Sequence, residues 1–328
     1  MKIVGTGLYA PGAPIDNYEL MKLADIEFDA ERTERKLGIA RRHIAHLRGI
    51  DETSADFAEK AARAAIDAAG IDPEEIGLFV VASDTPEYIS PATSMILQGR
   101  IQGGQRYSGT FDVNASCSSF VAALHSAQAL LKSDGAIRYA CIVGLYNMPA
   151  FVRPGDVFGY SIFADGAAAF ILKDGDGYLG GQLLADGTQW DYVGVYSGGT
   201  RQPVTKEKLE EGKYGLELLQ RLPGDRNVKL WPDMVDAVLG KIGRTRDQID
   251  HYLFTQINKS VIEEVMGILG QDLSKTTTVM DRYGYTGSAC IPMAFHTAVN
   301  EGRIKRGDTV MAVASGAGLA VAAGCWVY

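Results

Sequence analysis

The stretch DVNASCSSF, residues 112–120, decides the fold class because it has the pattern of a strand that turns abruptly into a helix. Small residues fill the turn, and the apolar residues from Phe120 onward recur at helical spacing. This pattern predicts that Cys117 lies at or just before the first turn of the helix. The unpaired N–H groups and the dipole of a helix start favour a thiolate, so we expect a nucleophilic cysteine. The alternative is a small buried cysteine that packs beneath the helix.

The alternation of helix and buried strand extends to both sides of this stretch. The apolar run LFVVA at residues 78–82 is typical of a strand that is buried on both faces. Residues 246–255 have the same order of features as residues 73–82, namely a polar cap, an isoleucine and an apolar strand. The segment 309–328 likewise has the pattern of residues 139–172. These similarities predict an α/β protein with an internal duplication.

The glycine-rich stretch 174–181 has the composition of a boundary between the two halves. We therefore predict an N-terminal half, residues 1–175, that carries the nucleophile and a C-terminal half, residues 176–328. Within the second half, residues of about 186–230 have mixed charge and no clear period. They predict an irregular insertion that lines a substrate path.

Composition and charge exclude several classes of protein. The 328 residues carry 40 acidic and 32 basic side chains, for a formal charge of −8, which argues against a nucleic-acid partner. A local basic patch for a phosphate-bearing ligand or an acidic carrier protein stays compatible with this charge. The four cysteines are scattered without a CxxC pair, so we expect no metal, no disulfide framework and a reducing cytoplasm. No apolar run reaches the length of a membrane span, so we expect no membrane association.

Essentially the whole chain resembles β-ketoacyl-acyl-carrier-protein synthase III and its relatives in the thiolase superfamily. The resemblance begins at DVNASCSSF and continues in register. The matching segments are RRHIA (41–45), YACIVG (139–144), IFADGA (162–167), TQIN (255–258), DRYGYTGSA (281–289), GRIKRGD (302–308) and SGAG (315–318). The resemblance implies a duplicated, five-layered αβαβα thiolase-like fold and a homodimer. It also implies an enzyme without a permanently bound cofactor that uses a thioester of acyl-carrier protein or coenzyme A.

The resemblance assigns roles to individual residues. It implies that Cys117 accepts an acyl group as a thioester. It also implies that backbone N–H groups of Cys117 and of the turn Gly316, Ala317 and Gly318 form the oxyanion hole, which needs only backbone geometry. The further candidates for substrate binding are Asn258, Ser90, Phe158 and Arg32.

The chain departs from the family at the groups that stabilise decarboxylation. The family's histidine opens a His-Gln-x-Asn stretch, where this chain has Thr255. The family's asparagine lies in a Gly-Asn-Thr-Ser stretch, where this chain has Tyr285. The aromatic residue and the arginine that hold the adenine of coenzyme A in the family correspond to Arg32 and Val157. A hydroxyl and a phenol therefore take the places of the two decarboxylation groups.

A carboxylate is the candidate for the missing base. Asp84 follows the buried strand 78–82, at a position that resembles the general-base glutamate of 3-hydroxy-3-methylglutaryl-CoA synthases, which share the fold. A carboxylate near a thiol acts as a base when burial raises its pKa. Glu87 is a neighbouring alternative, and a loop aspartate that caps a turn is the structural alternative.

Three functions are compatible with these residues. The first is an acyltransferase that loads Cys117 from a carrier-protein or coenzyme A thioester and passes the acyl group to an alcohol, an amine or an activated carbon. The product would belong to fatty-acid, polyketide or other secondary metabolism. The second is decarboxylative condensation in which Thr255, Tyr285 or a water replaces the lost donors. The third is a non-catalytic partner subunit of an active paralogue.

Overall fold

The computed structural model describes residues 1–104 and 106–328. The strands are β1 (Lys2–Tyr9), β2 (Ile15–Asp16), β3 (Arg41–Arg42), β4 (Ile76–Ala82), β5 (Gly109–Val113), β6 (Tyr139–Tyr146), β7 (Gly166–Lys173), β8 (Tyr178–Gln189), β9 (Val193–Val195), β10 (Leu216–Leu218), β11 (His251–Phe254), β12 (Thr309–Gly316) and β13 (Gly318–Val327). The α-helices are α1 (Asn17–Ala24), α2 (Ala30–Leu37), α3 (Ser54–Ala69), α4 (Thr93–Gln102), α5 (Ser119–Ser133), α6 (Val157–Ile162), α7 (Lys206–Glu210), α8 (Arg226–Ile242), α9 (Lys259–Leu269), α10 (Met280–Tyr283) and α11 (Cys290–Asn300). Short 3-10 turns occur at His46–Arg48, Pro73–Glu75, Met148–Phe151, Arg246–Gln248, Leu273–Lys275 and Gly287–Ala289.

The first half of the chain builds a mixed five-stranded sheet in the order β1-β7-β6-β4-β5. Strand β4 is parallel to both β5 and β6, whereas β7 is antiparallel to β6 and to β1. Strands β4, β6 and β7 are buried along nearly their whole length, as their unbroken apolar runs predict. Because β4 and β5 are parallel, their carboxyl ends place residues 83–91 beside residues 114–118.

The second half repeats this plan in a four-stranded sheet with the order β11-β12-β13-β8. Strands β11 and β12 are parallel, and β13 is antiparallel to β12 and to β8. In order and direction, β8, β13, β12 and β11 correspond to β1, β7, β6 and β4. Strand β5 has no counterpart in residues 176–328, all of which are described. The duplication predicted from the repeated helix and strand patterns is confirmed.

The two sheets enclose a central layer of helices. Helices α5 and α11 lie there and contact strands of both sheets. On β7, Phe170 packs against Phe120 of α5 and Phe295 of α11, with ring centroids 4.9 Å apart in both pairs. Helices α3 and α4 cover the outer face of the first sheet, and α8, with α9 against it, covers that of the second. The layers are therefore αβαβα, as predicted.

The junction between the halves differs from the sequence expectation. The stretch 174–181 is only partly a turn, because β8 begins at Tyr178. Gly181 lies within this strand, where a Cβ would come within 2.8 Å of the carbonyl oxygen of Ala323. Glycine at this position allows the close packing of β8 against β13 and does not form a turn. The chain passes from the first sheet to the second between Lys173 and Tyr178. The division into residues 1–175 and 176–328 remains a proposal.

The segment 186–230 is more ordered than its sequence predicts. It contains the end of β8, helix α7 and the first turn of α8. It also contains a two-stranded antiparallel ribbon formed by β9 and β10. These elements are too short to show a hydrophobic period, since a strand of three residues shows hardly one alternation. Among the helices of residues 1–104 and 106–328, none is long and apolar enough to cross a membrane.

Candidate active site

A cavity of about 90 Å³ lies over Cys117, where the carboxyl ends of strands from both sheets meet. Parallel α/β sheets form their sites at such an edge. Its wall is mainly apolar, with a few polar groups, as in ligand sites generally. The two sheets and their following loops contribute Asp84, Cys117, Tyr146, Met148, Phe158, Phe163, Ile257, Tyr285, Ser315, Gly316 and Ala317. The segment 186–230 contributes Val193, Gly194, Leu216, Leu222, Arg226 and Asn227.

The turn that carries Cys117 is fixed by its own small polar side chains. The Oδ1 atom of Asn114 accepts a hydrogen bond from the N–H of Ser116 at 3.1 Å, and Ser116 has a φ of +49°. Left-handed backbone is unfavourable for serine and persists only where its surroundings enforce it. The hydroxyl of Ser119 accepts from the N–H of Ala115 at 2.9 Å. Helix α5 begins at Ser119, two residues after Cys117, which confirms the predicted strand, turn and helix.

The end of β12 packs directly against the backbone of the nucleophile. A Cβ on Gly316 would lie 2.5 Å from the backbone nitrogen of Cys117 and 2.7 Å from the Cβ of Ser116. Only glycine allows this approach, which brings the Cys117 backbone against the turn after β12. Ala317 lines the cavity, and Gly318 has a φ of +128° that L side chains rarely adopt. The turn after β12 therefore lies against the backbone of Cys117 at the cavity.

The thiol of Cys117 has an electrostatic environment different from the one that the sequence predicts. Burial raises the pKa of Cys117 well above its usual value, and the charge of Asp84 raises it further. A hydrogen bond from the Tyr285 hydroxyl acts in the opposite direction and lowers the pKa. Burial and the charge of Asp84 therefore oppose the thiolate that the helix start is expected to favour.

Asp84 is the carboxyl group of the cavity. Its turn is held by Thr85, whose N–H donates to the hydroxyl of Ser83 at 2.9 Å and whose Oγ1 accepts from the N–H of Asn147 at 2.9 Å. The Oδ1 atom of Asp84 is buried and has no hydrogen-bond partner among the described residues. Burial raises its pKa to about 6. At neutral pH it is therefore a carboxylate beside a thiol, as a general base requires.

Glu87, the neighbouring alternative, has a structural role. Its Oε2 accepts a hydrogen bond from the N–H of Ala55 at 2.8 Å, and its Oε1 accepts from the hydroxyl of Thr53 at 2.9 Å. Both partners lie at the start of α3, so the carboxylate caps this helix.

The aromatic side chains of the wall form one cluster with Tyr285. The ring of Phe163 is 5.7 Å from that of Tyr285 and 5.6 Å from that of Phe158, between centroids. Tyr146 lies 6.2 Å from Tyr285. Phe158 thus lines the cavity, and the cluster holds Tyr285 beside the thiol. Burial raises the pKa of Tyr285 well above its usual value, so the phenol keeps the proton that it donates.

Thr255 lies behind the wall of the cavity and not in it. Its Oγ1 accepts a hydrogen bond from the N–H of Ser315 at 2.8 Å, and its side chain is 1% exposed. Asn258 is also engaged locally, because its side chain caps α9 by accepting from the N–H of Val261. Its neighbour Ile257 lines the cavity instead.

Two other sequence candidates are also outside the cavity. Ser90 is exposed in the loop after β4, and Arg32 is exposed on α2. The structure therefore brings Cys117, Tyr285, Asp84, Phe158 and the Gly316–Ala317 turn together.

Sequence reasoning missed the first turn of α8. The indole N–H of Trp231 donates to the hydroxyl of Ser315 at 3.1 Å, and that hydroxyl donates to Oδ1 of Asn227 at 3.1 Å. Trp231 is fully buried and stacks on Phe254 with ring centroids 5.2 Å apart. These hydrogen bonds hold Asn227 and the adjacent Arg226 in the cavity wall. The amphipathic pattern after Pro223 and Gly224 is the signal for this helix, but it does not tell which ligand its first turn faces.

Sequence comparison places these features among known enzymes. The family model described as 3-oxoacyl-[acyl-carrier-protein (ACP)] synthase III matches residues 111–187, and the C-terminal model of the same family matches residues 239–328. The chain is 34% identical to the beta-ketoacyl-[acyl-carrier-protein] synthase III of Xanthomonas campestris pv. campestris, over 97% of this chain and 95% of that protein.

Solved structures show the same similarity. The crystal structure of 3-oxoacyl-[acyl-carrier-protein] synthase III from Aquifex aeolicus VF5 superposes with a TM-score of 0.85 at 27% identity, covering 100% of this chain and 99% of that one. The priming β-ketosynthase from the R1128 polyketide biosynthetic pathway gives a TM-score of 0.86 at 25% identity, covering 99% and 95%. The similarity therefore spans both halves of the chain.

Proposed function

Since the chain belongs to the β-ketoacyl-acyl-carrier-protein synthase III family of acyltransferase enzymes, we propose that it transfers an acyl group through a thioester on Cys117. The acyl donor is a thioester of acyl-carrier protein or coenzyme A, and the enzyme holds no permanent cofactor. The observation that carries the proposal is a cysteine that faces a small apolar cavity between a carboxylate and a phenol. The reaction serves fatty-acid, polyketide or related secondary metabolism.

Acylation needs a base because the resting thiol is protonated. In the proposed step the Asp84 carboxylate takes the proton of Cys117, and the sulfur attacks the thioester carbonyl. The N–H groups at Cys117 and at the turn Gly316–Gly318 stabilise the tetrahedral oxyanion. Asp84 then returns the proton to the departing thiol. Tyr285 donates its hydrogen bond to the sulfur and favours the thiolate.

Transfer without decarboxylation is the better candidate for the second step. Thr255 bonds the backbone of Ser315 and does not line the cavity, and Tyr285 places a phenol where the family has an asparagine. Loss of a single donor to a developing oxyanion costs about a hundredfold in rate. Asp84 serves an alcohol or an amine acceptor by taking its proton as it attacks the acyl-enzyme. The bond between the acyl carbon and the Cys117 sulfur then breaks, and Asp84 returns the proton to the departing thiolate.

Mass spectrometry of the intact protein tests this proposal. We expect wild-type protein incubated with a panel of acyl-carrier-protein and coenzyme A thioesters to gain one acyl mass. Cys117→Ala should gain none, and Cys290→Ala, which removes a buried cysteine, should load like wild type. If none of the thioesters loads Cys117, the proposal is wrong and the alternative of a partner subunit gains support.

Decarboxylative condensation is the second candidate, and the observation that favours it is the phenol of Tyr285 in the cavity. Release of carbon dioxide from malonyl-carrier protein at an enzymatic rate, lost in Tyr285→Phe, would support it over the first candidate.

A homodimer in a reducing cytoplasm completes the proposal. Strand β5 is the edge of its sheet, and among the described strands it pairs only with β4. In the loop after the neighbouring strand β4, Ile89 and Tyr88 are 84% and 57% exposed. A second copy that pairs with β5 would cover this edge. Sedimentation velocity should find a dimer at micromolar concentration, and a monomer would contradict it. The four cysteines, all free, suit a reducing compartment.

A further inference from the structure

Arg226 is a charged residue in the cavity wall that the proposed chemistry does not use. It is the first residue of α8 and lies in the wall with Cys117. Its Nε is buried and has no hydrogen-bond partner among the described residues. Its Nη1 lies 3.5 Å from Oε1 of Gln189, at the limit of a hydrogen bond. An unsatisfied guanidinium in an apolar wall is costly unless a ligand completes it.

No carboxylate pairs with Arg226 among the described residues. The preceding Asp225 is paired with Lys229 at 2.5 Å. Burial lowers the pKa of Arg226, but a guanidinium stays protonated in proteins. A permanent positive charge therefore lies in the wall above the nucleophile, with no counter-ion in residues 1–104 and 106–328.

Hydrogen bonds at the first turn of α8 fix the position of this charge. Asn227, the next residue, accepts from the hydroxyl of Ser315, which in turn accepts from buried Trp231. These contacts fix the backbone of Arg226 against the end of β12, beside the Gly316 turn. Charge and nucleophile are thus held by one rigid unit.

We propose that Arg226 binds a carboxylate carried by one of the substrates that react at Cys117. The proposal rests on the acyl-transfer function above. A guanidinium presents pairs of N–H groups that fit the two oxygens of a carboxylate side by side, and Arg226 lines the cavity. The cavity is small, about 90 Å³, so the substrate class is short: a dicarboxylic acyl group such as succinyl or glutaryl, or a small hydroxy or amino acid as acceptor.

The first arm of the test compares matched acyl donors. Succinyl and glutaryl thioesters are paired with butyryl and pentanoyl thioesters, and the rate of Cys117 acylation is followed by intact mass. If the acyl group carries the carboxylate, wild type should prefer the acidic donor by about tenfold or more, the typical effect of a charge-assisted hydrogen bond. Arg226→Gln should lose this preference, because it should slow acylation by the acidic donor far more than acylation by the neutral donor. Arg226→Lys should keep part of it, and Arg221→Gln, at an exposed arginine, should behave like wild type.

The second arm tests the acceptor. Enzyme acylated with a neutral group is mixed with a hydroxy acid or its matched alcohol, and with an amino acid or its matched amine. If the acceptor carries the carboxylate, deacylation should show the same preference, and Arg226→Gln should remove it.

A third arm is independent of turnover. Succinate and glutarate, but not their diamides, should raise the thermal unfolding midpoint of Cys117→Ala, and the added Arg226→Gln substitution should remove the effect. The inference is overturned if Arg226→Gln slows neutral and acidic substrates equally, or changes none of the three arms. Acylation of Cys117 by neutral donors in that case would leave the proposed function intact. Carboxylate binding without acylation by any donor would support the inference and reject the function.

Discussion

A hydrogen bond between Thr255 and Ser315 joins the ends of β11 and β12. The Ser315 N–H donates to Thr255 Oγ1 at 2.8 Å, and both residues are almost fully buried. Ser315 immediately precedes Gly316, which touches the backbone of Cys117. The threonine hydroxyl therefore supports the turn beside the nucleophile and does not face the substrate.

Replacing Thr255 with valine should destabilise the protein. Valine keeps the shape but leaves the Ser315 N–H buried without an acceptor, which costs about 1–3 kcal/mol in the free energy of unfolding. Denaturant titration measures this change. Thr255→Ser keeps the hydroxyl and should lose less than half as much. Equal stability of wild type and Thr255→Val would show that the bond contributes nothing.

Tyr285→Phe should slow acylation of Cys117 and raise the pKa of its thiol. The phenol is the hydrogen-bond donor that lowers this pKa, and phenylalanine preserves the packing of the aromatic cluster. We expect a loss of roughly ten- to a hundredfold in acylation rate, in the range of other single-donor deletions. The rate of alkylation by iodoacetamide as a function of pH reports the thiol pKa. Tyr146→Phe, in the same cluster, is the matched control, and an equal shift there would refute the specific role of Tyr285.

Asp84→Asn should stabilise the protein and impair it as an enzyme. The pKa of Asp84 is raised from 3.8 to about 6, so the folded state holds a proton that the unfolded chain releases. Its contribution to stability is present below about pH 4 and lost as the pH rises to about 6. Above pH 6 the asparagine variant should be more stable by at most about 3 kcal/mol. Unfolding titrations from pH 4 to 8 measure this difference.

The acylation rate of Asp84→Asn should fall although its stability rises. Wild-type acylation should rise with pH through about 6 as Asp84 ionises. In Asp84→Asn it should lack this rise and be at least about a hundredfold slower. A variant that keeps the wild-type pH profile would show that another group is the base. A gain of stability at the expense of rate is the signature of a carboxylate buried for its chemistry.

Gly316→Ala should reduce acylation strongly. The added methyl group would lie 2.5 Å from the backbone nitrogen of Cys117, and backbone cannot yield as a flexible side chain does. The turn must shift, which displaces the proposed oxyanion donors and should cost at least about a hundredfold in rate. Gly240→Ala in α8 has open space around it and should gain about 0.5–1 kcal/mol in stability with unchanged acylation. An active Gly316→Ala enzyme would exclude this turn from the oxyanion hole.

The fold and the turn that carries Cys117 were predictable because each has a local signal. Apolar runs at β4 and β6 indicate strands that are buried on both faces, and the small residues before Phe120 indicate the turn. The protonation of Cys117 was not predictable. It depends on how deeply the thiol is buried and on Asp84, which is remote in sequence, and both raise the pKa of Cys117.

Arg226 was equally hidden from sequence reasoning. It stands in a stretch of mixed charge, where an arginine is ordinarily a solvated residue. Its place in the wall depends on the contacts of Trp231 and Asn227 with Ser315, which lies more than 80 residues further along the chain. Such long-range contacts leave no periodic pattern in a sequence.

The duplication of the fold gives the chain two cysteines at comparable places. Helix α11 follows the order of the second half as α5 follows that of the first, and it begins at Cys290. No strand equivalent to β5 precedes it in residues 176–328. Cys290 is fully buried, and burial raises its pKa to about 12. Although the two halves have similar folds, each chain should therefore accept one acyl equivalent, and a homodimer two.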